Sequence, residues 1–278
     1  MKAIKHILFP TDFSPTANNA LLYAIALAQT VSAKIYILHV CRIPSASVSA
    51  YPIGYYEAVN MDELRQEAQK KMESLHHDFL YAPKVPYECI TELGPTSELI
   101  EHTIREKNID LVVMGSRRAK GAQAWFGSVT SDIVKNSKVP VLVVPQNARF
   151  IRPEKVVLAT TLDKMTHLAG LEALRTFAQV FNASVDVLHI HPVGQDYSLE
   201  QNRFRQALDQ YLTNVPHRFI FISHKDVNEG IQQYFDNHQA EMLVMMPHHH
   251  TFLEGLVHAS KTKYMIFHTQ KPLLALKS

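Results

Sequence analysis

The chain has 278 residues, a length that predicts about two domains of ordinary size. Hydrophobic residues make up 46% of it and charged residues 19%, which excludes a disordered chain and predicts a soluble globular protein. Because 28 lysines and arginines nearly balance 26 aspartates and glutamates, the chain lacks the positive field of a general nucleic-acid binder, and we do not expect DNA or RNA as a partner.

Strands and helices alternate through the first half of the chain. The apolar run 4–9 predicts a buried strand that ends at Pro10, and residues 18–31 carry apolar side chains at helical spacing after Ser14 and Pro15. The same alternation predicts strands over 34–40, 85–91, 110–114 and 140–144, and helices over 61–80, 97–106 (capped by Thr96) and 128–136. Such a pattern predicts a doubly wound α/β fold, with helices on both faces of a mostly parallel sheet.

The second half of the chain repeats the first. The segment Ala33 to Val40 recurs as Ala183 to Ile190, and Leu111 to Met114 recurs as Leu243 to Met246. Because both matches keep the same order, one domain has been duplicated. We predict two tandem domains, residues 1–147 and 153–278, joined by a short linker.

The chain carries no sign of a membrane or secreted protein. No apolar run approaches the roughly 18 residues that a bilayer span needs, and the first residues contain no apolar core of a signal peptide. The 2 cysteines, Cys41 and Cys89, suggest no disulfide framework, and we interpret them as reduced thiols. We therefore expect a cytoplasmic protein that has no membrane partner.

Ligands of doubly wound sheets bind beyond the carboxyl ends of the strands, where the strand order reverses. This rule directs attention to the loops after Phe9, Val40 and Met114. The first of these loops contains Asp12, whose carboxylate can accept hydrogen bonds from a ribose or an amine. Asp12 or Ser14 can equally cap the following helix, and the sequence leaves both interpretations open.

The loop after Met114 is the richest in candidate groups. It holds three glycines and three cations before a helix start, namely Gly115, Gly121, Gly127, Arg117, Arg118 and Lys120. Glycine lets backbone N–H groups approach a phosphate, and a helix N-terminus adds partial positive charge. The alternative is a solvated surface loop. The spacing fits neither a Walker A loop nor the dinucleotide fingerprint.

Together these motifs resemble the universal stress protein family. The resemblance rests on residues 10–14 (Pro-Thr-Asp-Phe-Ser), on Leu38-His39-Val40 and on Met114-Gly115-Ser116 followed by Gly127-Ser128-Val129 and the strand 140–144. It covers both halves, so the chain resembles a tandem member of the family. The resemblance implies a five-stranded sheet in each domain. It also implies pairing of the last strands as an internal pseudo-dimer, and it leaves open a homodimer of whole chains.

Some members of this family bind ATP, and the resemblance places a nucleotide site in the N-terminal domain. Positions matching Asp12 and Val40 contact the adenosine, whereas those matching Gly115, Gly127, Ser128 and Val129 hold the ribose and phosphates. ATP, with Mg, is the implied cofactor. The full candidate set is Pro10, Thr11, Asp12, Val40, Met114, Gly115, Arg117, Arg118, Gly121, Gly127, Ser128 and Val129.

The sequence departs from the family's ATP-binding pattern at two points. Arg118 replaces the second glycine, and the segment before Gly127 is one residue short. The Arg118 side chain either blocks the approach of the backbone to a phosphate or replaces that approach with a charge-assisted contact to the phosphate. The leading hypothesis is a non-catalytic nucleotide sensor, with a partner-binding scaffold and a weak ATPase as alternatives. We assign no catalytic residue, because no general base or acidic pair for Mg²⁺ is evident beyond Asp12.

The second domain lacks the counterparts of the candidate site. Asp12 corresponds to Thr161, and the three glycines of the rich loop correspond to Pro247, Leu253 and Ala259. We therefore expect this domain to keep the fold but not the pocket. We interpret His248–His250 as a surface cluster rather than a metal site, since adjacent histidines do not all point one way. The long segment 41–60 is either a lid over the nucleotide loop or a partner-binding loop.

Overall fold

The structure, a computed structural model, describes most of the chain. The described residues are 3–41, 61–116, 128–162, 168, 170–191, 193–194, 198–246 and 270–277, without the side chains of Met61 and Ser128. Several predicted features lie outside this part of the chain: the segment 42–60, Arg117, Arg118, Gly121, Gly127, Pro247, His248–His250, Leu253 and Ala259.

The first half follows the predicted alternation closely. Its strands are β1 (His6–Thr11), β2 (Lys34–Cys41), β3 (Tyr87–Leu93), β4 (Leu111–Ser116) and β5 (Val141–Pro145). Its helices are α1 (Pro15–Val31), α2 (Met61–Leu75), α3 (Thr96–Glu106) and α4 (Ser128–Asn136). A π-helical turn, His76–Leu80, extends α2 over the remainder of the predicted helix.

Several predicted boundaries differ by a few residues from those observed, and two of these differences have an identifiable cause. Strand β1 does not end at Pro10 but continues to Thr11, because its parallel pairing with β2 continues there and a proline removes only one donor. Thr96 does not cap α3. The capping position is Pro95, which has extended dihedral angles and no side-chain cap, so Thr96 is already the first residue of the helix.

The described residues of the second half repeat these elements in the same order, with no counterpart of α4 among them. Its strands are β6 (Lys155–Ala159), β7 (Ser184–His191), β8 (His217–Ser223), β9 (Met242–Met245) and β10 (Leu273–Ala275). Its described helices are α5 (Glu172–Phe181), α6 (Leu199–Tyr211) and α7 (Val227–Asn237).

All ten strands form one sheet in the order β3-β2-β1-β4-β5-β10-β9-β6-β7-β8. Every adjacent pair is parallel except β5 and β10, which pair antiparallel with Leu274 opposite Leu142. The predicted doubly wound fold, with five strands in each half and the halves joined through their last strands, is confirmed.

Helices cover both faces of the sheet, as predicted. One face carries α1, α2, α5 and α6, whose apolar side chains belong to a single core cluster. The opposite face carries α3, α4 and α7 over a second cluster. Each cluster contains residues from both halves of the chain, so the hydrophobic core is continuous across the β5–β10 junction.

The backbone preserves the duplication in detail. Six non-glycine residues in the described part of the chain have positive φ, and they form three corresponding pairs: Phe13 and Leu162, Ser32 and Asn182, Asn108 and Gln239. Positive φ is uncommon outside glycine, so its recurrence at matching positions reflects shared turn geometry. The second half therefore keeps the turns of the first even where its residue types differ.

Candidate functional site

The candidate site lies where the strand order of the first half reverses. Strand β1 pairs with β2 on one side and with β4 on the other, so a crevice opens beyond its carboxyl end. Thr11 is paired with His39, which places Asp12 beside the end of β2. The structure thus brings the first loop and the ends of β2 and β4 to one edge of the sheet.

Asp12 belongs to a tightly hydrogen-bonded turn. Its Oδ1 accepts a hydrogen bond from the Ser14 N–H at 3.0 Å, and the Thr11 hydroxyl accepts one from the Phe13 N–H at 3.0 Å. The N-cap of α1 is Ser14, whose Oγ accepts from the Ala17 N–H at 3.2 Å. Asp12 is therefore not the helix cap, and its carboxylate is exposed at the crevice.

Gly115 is required by helix packing. A Cβ atom at this position would lie 2.9 Å from the Thr16 carbonyl oxygen and 3.0 Å from Thr16 Cγ2, in the first turn of α1. Close approach of a helix to a strand end needs a residue without a side chain. Close packing against α1 thus explains why glycine occupies this position, without reference to a bound ligand.

Gly115→Ala is expected to lower the free energy of unfolding by about 1–3 kcal/mol, because the added methyl group meets backbone rather than a flexible side chain. Urea denaturation measures the loss. Adding Thr16→Ser should restore stability only in part, since the nearest atom is the carbonyl oxygen. An unchanged stability would contradict the packing role of Gly115.

The start of α4 is tied to the end of β4. Thr130 is buried, and its hydroxyl donates to the Gly115 carbonyl at 3.4 Å. This contact holds the N-terminus of α4, at Ser128 and Val129, next to the crevice. A helix N-terminus in this place favours an anionic group.

Three apolar candidates share a packing role. Met114 is buried in the core cluster beneath α3 and α4, and Val40 and Val129 are half-buried against the same cluster. Their side chains therefore contribute to the packing of α3 and α4 on the sheet. Pro10, the second-last residue of β1, pairs with Leu38 and is half-buried.

His39 is a site residue that the sequence reasoning missed. Its Nδ1 lies 2.9 Å from the Thr11 carbonyl oxygen, and its ring packs on Phe13 with centroids 4.5 Å apart. In the second half His189 makes the same contact with the Thr160 carbonyl at 2.9 Å. The recurrence of this histidine in both repeats was the signal that could have revealed it.

The second half forms the same turn without the carboxylate. The Leu162 N–H donates to the Thr160 hydroxyl at 3.3 Å, so Thr161 occupies the position of Asp12. In addition, Gln201 in the first turn of α6 donates through Nε2 to the Thr161 carbonyl at 3.4 Å. The equivalent crevice thus carries a neutral residue, Thr161, whose backbone carbonyl is hydrogen-bonded to α6.

The described part of the chain offers neither a clustered metal site nor a membrane-spanning helix. Its residues contain no group of three or more histidine, cysteine, aspartate or glutamate side chains arranged to hold a metal ion. Among the described helices, none combines the length and apolarity that a membrane span requires.

The sequence pattern of the first half matches a known family. Residues 3–145 fit the universal stress protein family. The chain belongs to this family. The assignment agrees with the strand order and with the crevice described above.

Known universal stress proteins resemble both the sequence and the fold. Two from Methanocaldococcus jannaschii are 32% identical over 143 residues and 29% identical over 153 residues. Each alignment spans 50% of this chain, and they cover 81% and 94% of those proteins, respectively. The crystal structure of a universal stress protein from Archaeoglobus fulgidus has a TM-score of 0.75, at 17% identity, over 98% of each chain. That structure shares the fold over nearly the whole chain.

Proposed function

We propose that this universal stress protein is a stress-response protein that binds ATP or a related nucleotide at one site, in its N-terminal domain. In this proposal it acts as a non-catalytic sensor or regulator. The observation that carries the proposal is the exposed Asp12 carboxylate, held by a hydrogen bond from the Ser14 backbone N–H at the point where the strand order reverses. A carboxylate in that place is suited to accept hydrogen bonds from ribose hydroxyls.

The described residues fit a nucleotide in two respects. Asp12 offers an acceptor to the sugar, and the N-terminus of α4 offers partial positive charge to a phosphate. We propose that Gly115, Gly127, Ser128 and Val129 hold the ribose and phosphates and that Arg117, Arg118 and Gly121 belong to the same site. ATP bound here would bring Mg²⁺ mainly through its own phosphates, as Mg²⁺ sites commonly do.

We propose further that residues 153–278 form a second universal stress protein domain that pairs with the first as an internal pseudo-dimer and binds no nucleotide. The corresponding turn is neutral because Thr161 replaces Asp12, and its backbone already accepts a hydrogen bond from Gln201. One nucleotide per chain follows from this difference.

Asp12→Ala is expected to weaken ATP binding at least tenfold, about 1.4 kcal/mol, in isothermal titration calorimetry of the full chain. Asp12→Asn should have an intermediate effect, since the amide oxygen can still accept from Ser14 while the charge is lost. The matched control is Thr161→Ala, at the same turn of the second half, which should leave the affinity unchanged.

Three outcomes would contradict the proposal. Absence of saturable binding at millimolar ATP would favour a scaffold that acts through protein partners. A loss of affinity in Thr161→Ala equal to that in Asp12→Ala would move the site to the second half. Slow ATP hydrolysis that disappears in Asp12→Ala would favour an ATPase.

A further inference from the structure

The linker between the two halves, residues 146–154, is fixed against helices of both. Asn19 of α1 donates through Nδ2 to the carbonyl oxygens of Pro145 at 3.2 Å and Ala148 at 2.8 Å. The ring of Phe150 lies 5.2 Å from that of Tyr23 and 6.2 Å from that of Phe181 at the end of α5. This surface exists only because two domains are joined in one chain.

Three large apolar side chains that adjoin these rings in the sequence are exposed. Ile151 follows Phe150 and is 65% exposed, Leu22 precedes Tyr23 and is 48% exposed, and Val180 precedes Phe181 and is 39% exposed. Leu22 is also one helical turn from Asn19, which contacts the linker, so it lies on the linker side of α1. Clustered exposed apolar residues mark interaction surfaces more often than scattered ones do.

Two cations lie in the same linker. Arg149 and Arg152 are exposed, and Arg152 Nε donates to the Phe181 carbonyl oxygen at 3.3 Å, which ties its guanidinium to the end of α5. Neither arginine takes part in an ion pair with another described residue. We call Leu22, Arg149, Ile151, Arg152 and Val180 the linker surface.

We propose that the linker surface docks an acidic amphipathic segment of a partner protein. Its apolar side chains would cover Leu22, Ile151 and Val180, and its carboxylates would pair with Arg149 and Arg152. A second copy of this chain is the less suitable occupant. A two-fold contact through this surface would bring the arginines of one copy toward those of the other, and like charges in an interface are unfavourable.

Fluorescence anisotropy with a labelled helical peptide tests the proposal. The probe is a peptide of about 18 residues with leucine at helical spacing and glutamate on its other face, and the matched peptide carries lysine in place of glutamate. We expect saturable binding of the acidic peptide to the full chain, with a Kd on the order of micromolar, and no comparable binding of the lysine peptide.

Variants of the full chain locate the binding. Ile151→Asp and the pair Arg149→Glu with Arg152→Glu should each weaken binding at least tenfold. Tyr81→Asp, at an exposed apolar position far along the sequence in the first half, should not. Equal binding of both peptides, insensitivity to the linker variants, or no saturation at about 1 mM peptide would overturn the proposal. A homodimer in sedimentation velocity that Ile151→Asp dissociates would also overturn it, in favour of a second copy.

Discussion

Leu274→Ala is expected to lower the free energy of unfolding by about 2–5 kcal/mol. Leu274 is fully buried in β10, directly opposite Leu142 of β5, at the antiparallel junction between the halves. Truncation there leaves a cavity in the core cluster that both halves share. Urea denaturation followed by far-UV circular dichroism measures the loss, and we expect one transition because the sheet and core are continuous.

The control is the same truncation at an exposed leucine. Leu199→Ala, in the first turn of α6, should change the free energy of unfolding by no more than about 0.5 kcal/mol. If Leu274→Ala cost as little as this control, or if the two halves unfolded in separate transitions, the β5–β10 junction would not couple them.

The second large effect is expected at a charged network in the second half. Arg218 donates two hydrogen bonds to Asp186, from Nε to Oδ1 at 2.5 Å and from Nη2 to Oδ2 at 2.9 Å. The Tyr234 hydroxyl donates to the same Oδ2 at 2.9 Å. The Asp186 side chain is only 3% exposed, whereas that of Arg218 is 57% exposed. Burial alone would raise the pKa of Asp186, but the donors outweigh it and lower that pKa. Burial and the neighbouring carboxylate raise the pKa of Tyr234 to about 12.

Arg218→Met should cost about 2–3 kcal/mol at neutral pH, because it leaves the buried carboxylate with Tyr234 alone. Breaking a fully buried pair costs about 3–5 kcal/mol, and the exposure of Arg218 reduces this figure. Lys34→Met is the matched control. It breaks the partly exposed Lys34–Glu88 pair of the first half and should cost clearly less than Arg218→Met, because solvent screens that pair.

The penalty of Arg218→Met should depend on pH in a defined direction. Since the pKa of Asp186 is lowered in the folded protein, its stabilisation is present above the unfolded value of about 3.9 and is lost as the pH falls through the folded value. The difference between wild type and variant should therefore be largest near neutral pH and shrink in acid. A difference that stayed constant between pH 7 and pH 3 would show that the carboxylate charge is not its cause.

The two halves differ at the site while sharing its scaffold. The turns at Phe13 and Leu162 have nearly the same φ, 59° and 58°, and each is closed by a threonine hydroxyl and a histidine contact. The charged Asp12 of the first turn is replaced by the neutral Thr161 in the second. Duplication followed by loss of one carboxylate accounts for a chain with two similar crevices and one proposed nucleotide site.

Sequence reasoning predicted most of the fold. Helical spacing in α1 and apolar runs in β2 and β4 are local patterns, and short-range periodicity reports which residues face a core. The boundaries were less well determined, since the end of β1 depends on pairing with β2, which is distant in sequence. The twelve candidate site residues stay a prediction, and several of them lie outside the described residues.

The roles of individual site residues could not be predicted from the sequence. Asp12 and Ser14 were both suitable caps by residue type, and the hydrogen bond from Ala17 N–H to Ser14 Oγ decides between them. Gly115 was interpreted as a glycine that admits a phosphate, and the structure adds a second reason for glycine there, because a Cβ atom would meet the Thr16 carbonyl oxygen. In both cases the deciding contact depends on three-dimensional distance, which the sequence does not report.

The amino-acid sequence by itself determined the duplication, the alternation of strands and helices, and the loss of the Asp12 counterpart in the second half, because each is a comparison of residue types along the chain. The tertiary structure alone decided that Gly115 packs on α1, that His39 holds the Thr11 carbonyl, and that Asp186, Arg218 and Tyr234 form one network. These contacts join residues far apart in sequence. Their energies depend on distance and burial, and both arise only when the chain is folded.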